Sequence, residues 1–63
     1  MKLFLLIHIL ILSDDTTIAN TSIHWSLTDC ETVGLDLSDK ANAKYQLRTN
    51  KYSCGELYVG NNQ

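Results

Sequence analysis

Cys30 and Cys54 are the only cysteines in the 63-residue chain, so they have one intramolecular partner each. Their chemistry offers a disulfide, a metal site or a pair of free thiols. A zinc site would have to combine His24, Cys30, Cys54 and a carboxylate, and no C-x₂-C spacing stands behind it. A disulfide needs only the pair and an oxidising compartment. It would close a loop of about 25 residues, for which loop entropy gives about 3 kcal/mol. A Cys30–Cys54 bridge is the expected use, with pairing between two chains as the alternative.

The remaining reactive side chains point away from catalysis. Ser26, His24 and Asp29 supply a nucleophile, a base and an acid by type. Residues so close along one strand cannot converge on a reacting atom from several directions. Asp36 and Asp39 lack the further oxygens a calcium ion takes. No enzyme, metal or cofactor is expected. Thr32-Val33-Gly34-Leu35-Asp36-Leu37-Ser38-Asp39-Lys40 resembles the first strand of ribonuclease-H-like transposases and related nucleases. In that family an aspartate at the position of Asp36 binds the catalytic metal. The resemblance covers nine residues, and the family's other acidic ligands lie on elements beyond a chain this short, so no site is carried over.

The elements that must position these residues begin with an apolar run. Lys2 precedes residues 3–12, which are apolar except for His8. A positive start followed by such a run is the pattern of a secretory signal peptide. A membrane span needs about 20 apolar residues, and this run ends at Ser13-Asp14-Asp15. Thr17-Ile18-Ala19 offers small residues for cleavage after Ala19, with Ser13 as a second position. The expected division is a helical signal peptide over 1–19 and a disulfide-stabilised mature domain over 20–63. His8 would then be discarded and serve no site. Asn20-Thr21-Ser22 is a glycosylation sequon, usable only in a eukaryotic secretory pathway.

Within 20–63, residues 22–28 alternate, with Ile23, Trp25 and Leu27 on one side, as in a half-buried strand. Trp25 is expected as a core anchor. Val33, Leu35 and Leu37 alternate again and predict a second strand over 32–37. Residues 39–49 fit two patterns. Good helix formers favour a helix capped by Ser38 or Asp39. Alternation of Ala43, Tyr45, Leu47 and Thr49 favours a strand, which suits its neighbours better. Asn50-Lys51 reads as a turn, 52–59 as a last strand, and 60–63 as a polar tail. The fold class expected is small all-β, a four-strand antiparallel meander stapled by one disulfide. The alternative is ββαβ with a short helix near 39–49.

Net charge is -2, without the basic excess of a nucleic-acid binder. A mature domain of some forty residues needs a staple to be stable. The function expected is that of a small secreted protein, extracellular or periplasmic, that docks on an extracellular protein or receptor. Trp25, Tyr45, Arg48, Tyr52 and Tyr58 are the candidate contact residues, because aromatics and arginine supply most interface energy. Membrane association is expected only if the leader is retained as a tether. A truncated or spurious reading frame is the remaining alternative.

Overall fold

The computed structural model describes residues 1–60, so 61–63 and the end of the polar tail expected there lie outside the described residues. Four elements follow in order: β1 (Lys2–Leu12), β2 (Thr17–His24), α1 (Leu27–Lys44) and β3 (Leu47–Tyr58). The three strands form one antiparallel sheet in the order β2-β1-β3. β1 is the centre. Its Leu6 faces Ser22 on β2 and Cys54 on β3, and its His8 faces Asn20 and Tyr52.

The helical leader expected over the first residues is corrected: they form this central strand. An apolar run of ten residues does not by itself distinguish a helix from a strand buried on both faces. β-branched Ile7, Ile9 and Ile11 suit the pleated alternative, and two polar strands downstream supply its backbone partners. Residues 13–16 turn the chain into β2. Asp15 adopts positive φ there (72°), a conformation aspartate tolerates better than most residues. Thr16 N–H donates to the Asp14 carboxylate at 2.9 Å, and Arg48 on β3 pairs with Asp15.

The all-β meander is corrected as well. Among the described residues there are three strands, and the stretch expected as strand, turn and strand is one helix from Leu27 to Lys44. The resemblance over 32–40 ends here, since those residues are helical. The element order is ββαβ, but the helix is not the short one near 39–49, and its first strand is the presumed leader. Ser26 caps the helix: its hydroxyl accepts from Asp29 N–H at 3.0 Å, which satisfies one of the orphan donors of the first turn. Asp29 in the first turn and Lys44 in the last complement the helix dipole. Cys30, Gly34 and Ala41 are the buried positions, a spacing that makes one narrow stripe.

That stripe packs on one face of the sheet. The Cys30–Cys54 disulfide joins α1 to β3, with Cα atoms 6.2 Å apart. Leu6 and Leu10 with Cys30 and Ala41 make a small buried core under the helix, and Leu3 is buried near the start of β1. Cross-strand partners share a face, so Leu5, Ile7, Ile9 and Ile11 lie on the opposite side from Leu6, His8 and Leu10. Ile23, Thr21, Ala19 and Thr17 of β2 flank them there, and Gly55, Ser53, Lys51 and Thr49 of β3 do so on the other side. Among the described residues no element covers this second face. No helix of the described residues is long and apolar enough to cross a membrane.

Gly34 shows how tightly the helix sits. A Cβ at this position would come within 2.7 Å of Tyr52 Cε1 and 2.8 Å of its Cγ. Alanine is better than glycine in a helix by about 1 kcal/mol, yet here it must displace a ring. Gly34→Ala is expected to lower stability by about 1–3 kcal/mol through overpacking. In a Tyr52→Ala background the same change should be neutral or stabilising. Urea unfolding of the four chains of this double-mutant cycle measures the reversal.

Candidate functional site

His8 is a polar residue in the middle of an apolar central strand. The pleat turns it to the same side as Leu6 and Leu10, under α1, where it is only 1% exposed. A buried imidazole is costly unless its nitrogens are hydrogen-bonded. Nε2 lies 2.8 Å from Asn50 Oδ1. The Asn50 amide nitrogen donates to the Ser38 carbonyl and to Asn42 Oδ1, each at 2.9 Å. Asn50 Oδ1 is thus an acceptor, and Nε2 must carry the proton. In the neutral ring that leaves Nδ1 as a bare acceptor. It is buried and has no partner.

The network corrects two expectations. His8, expected to serve no site, is part of the fold's polar centre. Asn50 sits inside β3 rather than in a turn, and its side chain ties β1, β3 and α1 together. One signal for this lay in the sequence: a single polar residue interrupting an apolar run needs a partner wherever that run is buried.

Beside His8 lies a cavity of about 150 Å³. Leu10 and Asn20 continue its sheet wall, and Leu37, Ala41 and Tyr45 form the helix wall. Lys40 and Lys44 complete the lining. Lys40 Nζ is 2.9 Å from the Asp36 carboxylate, and Lys44 Nζ stands 5.2 Å from the centre of the Tyr45 ring. The walls are mostly apolar, with His8 and Asn20 as the polar points within the sheet wall.

The five expected contact residues are dispersed. Trp25 is 74% exposed and Tyr58 71%; Trp25 is therefore no core anchor, because it follows β2 at the point where the chain leaves the sheet. Tyr45 is half-buried in the cavity wall. Tyr52 is half-buried against Gly34. Arg48 is exposed and engaged with Asp15. The other reactive side chains are not brought together. Ser26 is used as a helix cap, His24 Nε2 is 2.7 Å from Ser22 Oγ, and both cysteines are held in the disulfide. Among the described residues no group of histidine, cysteine and carboxylate side chains could hold a metal. Asn20 of the sequon is exposed in mid-β2.

No protein-family model, curated protein or solved structure matches the chain. Its site therefore rests on geometry alone.

A second polar cluster closes the end of the sheet. Tyr58 donates its hydroxyl to Glu56 Oε1 at 2.9 Å, and Lys2 Nζ lies 3.4 Å from Glu56 Oε2. The Tyr58 hydroxyl, then the Lys2 ammonium, holds the Glu56 carboxyl below its ordinary value. The hydrogen bond to Glu56 and its charge raise Tyr58. The Thr16 backbone N–H lowers Asp14 in the same way.

Two measurements follow from this geometry. Asn50→Ala strands the buried Nε2–H of His8 and is expected to cost about 1–3 kcal/mol. Adding His8→Leu removes the stranded ring and should restore much of that loss in chemical unfolding. For the end cluster the signs are opposite. The lowered Glu56 stabilises the fold above its ordinary pKa, and this is lost as pH falls through the folded value. The raised Tyr58 stabilises below the ordinary phenol pKa, and this is lost as pH rises through the folded value. In an NMR titration, Glu56→Gln should move the Tyr58 midpoint back down toward 10.0, the ordinary phenol value.

Proposed function

We propose that the protein is a small exported binding module that acts by surface contact, in full-length form, on an extracellular protein partner. The observation that carries this reading is the uncovered sheet face. Its central row of Leu5, Ile7, Ile9 and Ile11 is apolar, and Lys51 is the one charged residue among the cross-strand neighbours flanking that row. Ile23 on the same face is 57% exposed, and exposed Trp25 lies two residues on, just past the end of β2. Contiguous exposed apolar surface of this kind marks interaction sites, and tryptophan is the residue most enriched among interface anchors. The disulfide is consistent with an oxidising compartment.

Export and this sheet make opposite demands on the first residues. Cleavage after Ala19 or after Ser13 would remove β1, and β2 and β3 pair with no other strand. The active species in this reading keeps β1. Intact mass spectrometry of the protein recovered from culture medium tests it. The expected mass begins at Met1 and gains two alkyl groups only after reduction. A mass beginning at Asn20 or Asp14 overturns the full-length reading, and a product confined to the cell with free thiols overturns export.

The contact surface has its own test. Partner binding from extracellular material should fall about tenfold or more with Trp25→Ala or Ile7→Glu, as at interface hot spots. Leu35→Glu, on the solvent side of α1, should leave it unchanged. Equal loss with all three variants, or with none, removes the sheet face from the reading.

A further inference from the structure

We infer that the outer edge of β2 (Thr17–His24) pairs with the same edge of a second copy of this chain, antiparallel about a two-fold axis at Thr21, so that two three-strand sheets become one sheet. β2 spends one row of its amide and carbonyl groups on β1, and no strand lies beyond it among the described residues. The backbone hydrogen bonds made outside the helix and the ladders involve none of residues 17–24. An unpaired row of this kind is a template for another strand.

Composition separates this edge from the other one. Exposed edges are ordinarily guarded by charge, proline or a bulge. β3 carries Arg48, Lys51 and Glu56 along its length. β2 reads Thr-Ile-Ala-Asn-Thr-Ser-Ile-His, with no lysine, arginine, carboxylate, proline or glycine. Its β-branched Thr17, Ile18, Thr21 and Ile23 suit strand pairing, and its register with β1 is unbroken from Thr17 to His24. On the helix-covered side Lys40 and Lys44 line the same groove as Asn20. Lys40 is paired with Asp36, and Lys44 lies against the Tyr45 ring.

Symmetry then selects the partner. A two-fold axis normal to the sheet keeps both uncovered faces on one side, and residues directly opposite in the new ladder share a face. With the axis at Thr21, this residue meets its own copy, a favourable cross-strand pair. Ala19 meets Ile23 on the uncovered side, and Asn20 meets Ser22 on the helix side. Apolar thus faces apolar and polar faces polar, and Ile18 falls opposite His24. An axis at Asn20 would set Ile23 against Thr17 and Ile18 against Ser22. An axis at Ser22 would set Ile23 against Thr21. The strand is therefore its own best complement at one register. The pairing leaves the uncovered face open and continues it across both copies, so it neither requires nor blocks the docking proposed there.

The test uses the full-length oxidised chain. Sedimentation over a concentration series should show a monomer–dimer equilibrium. In a mixture of ¹³C-labelled and unlabelled chains, filtered NOE spectra should join Ala19 of one copy to Ile23 of the other. Thr21→Lys places like charges opposite each other on the axis and should weaken the dimer about fivefold or more at low salt, with part of the loss recovered at high salt. Ser53→Lys is the matched control, because Thr21 and Ser53 flank Ile7 on opposite strands and both are exposed; it should leave association unchanged. A chain that stays monomeric up to its solubility limit overturns the inference. So do contacts between copies centred on Ile7 and Ile9, which would mean face-to-face packing, or on β3. Equal weakening by the two lysines, or none by Thr21→Lys, also overturns it. Should Thr21→Lys fail to fold, the contacts between copies of the native chain decide alone.

Discussion

Every backbone hydrogen bond between strands in this protein passes through β1. β2 and β3 lie on either side of it and do not touch as partners. A central strand has both rows of amide and carbonyl groups satisfied, so it is the place in a three-strand sheet where the most apolar segment costs least. The two outer strands are polar and carry free edges, which suits their exposure. Their pairing gains meaning only when the apolar strand lies between them. The order of the elements follows: a four-residue turn delivers β2 antiparallel to β1, and the long helical crossover carries the chain past β1 to the opposite edge.

The helix contributes a second constraint, because it covers one face and leaves the other open. Its buried stripe of Cys30, Gly34 and Ala41 is narrow and made of small residues, so hydrophobic burial alone anchors it weakly. The disulfide to Cys54 compensates by tying the middle of β3 to the first turns of the helix. Near the other end the Asn50 amide does similar work without a covalent bond, through Ser38, Asn42 and His8. Between these two ties sits Tyr52, its ring against the bare backbone of Gly34. A covalent link, an aromatic contact and a polar network thus follow one another along β3 and hold the helix in register.

This arrangement separates two surfaces of different character. The helix-covered side holds one buried, half-satisfied imidazole beside an open, mostly apolar groove. The other side presents an apolar row flanked by threonine, serine and glycine, suited to broad contact. Neither carries the converging acid, base and nucleophile that covalent catalysis needs, among the described residues.

The sequence by itself determined the disulfide pair, since two cysteines in one chain have a single intramolecular pairing, and it determined a small chain rich in sheet. It also determined the last strand, where 52–59 overlaps β3, whereas of the strand expected over 22–28 only residues 22–24 lie in β2. Other outcomes belonged to tertiary structure. The apolar run of 3–12 has the composition of a leader and of a central strand alike, and only its two neighbours make it a strand. Residues 32–37 alternate as a strand does, yet Ser26 capping and the stripe at Cys30, Gly34 and Ala41 make them helical, because packing overrides weak local patterning. Trp25 is apolar enough for a core, but its place just past the end of β2 leaves no element above it. His8 and Asn50 lie 42 positions apart in sequence. Local pattern carries no information across that distance; β1 and β3 pairing brings them to one hydrogen bond.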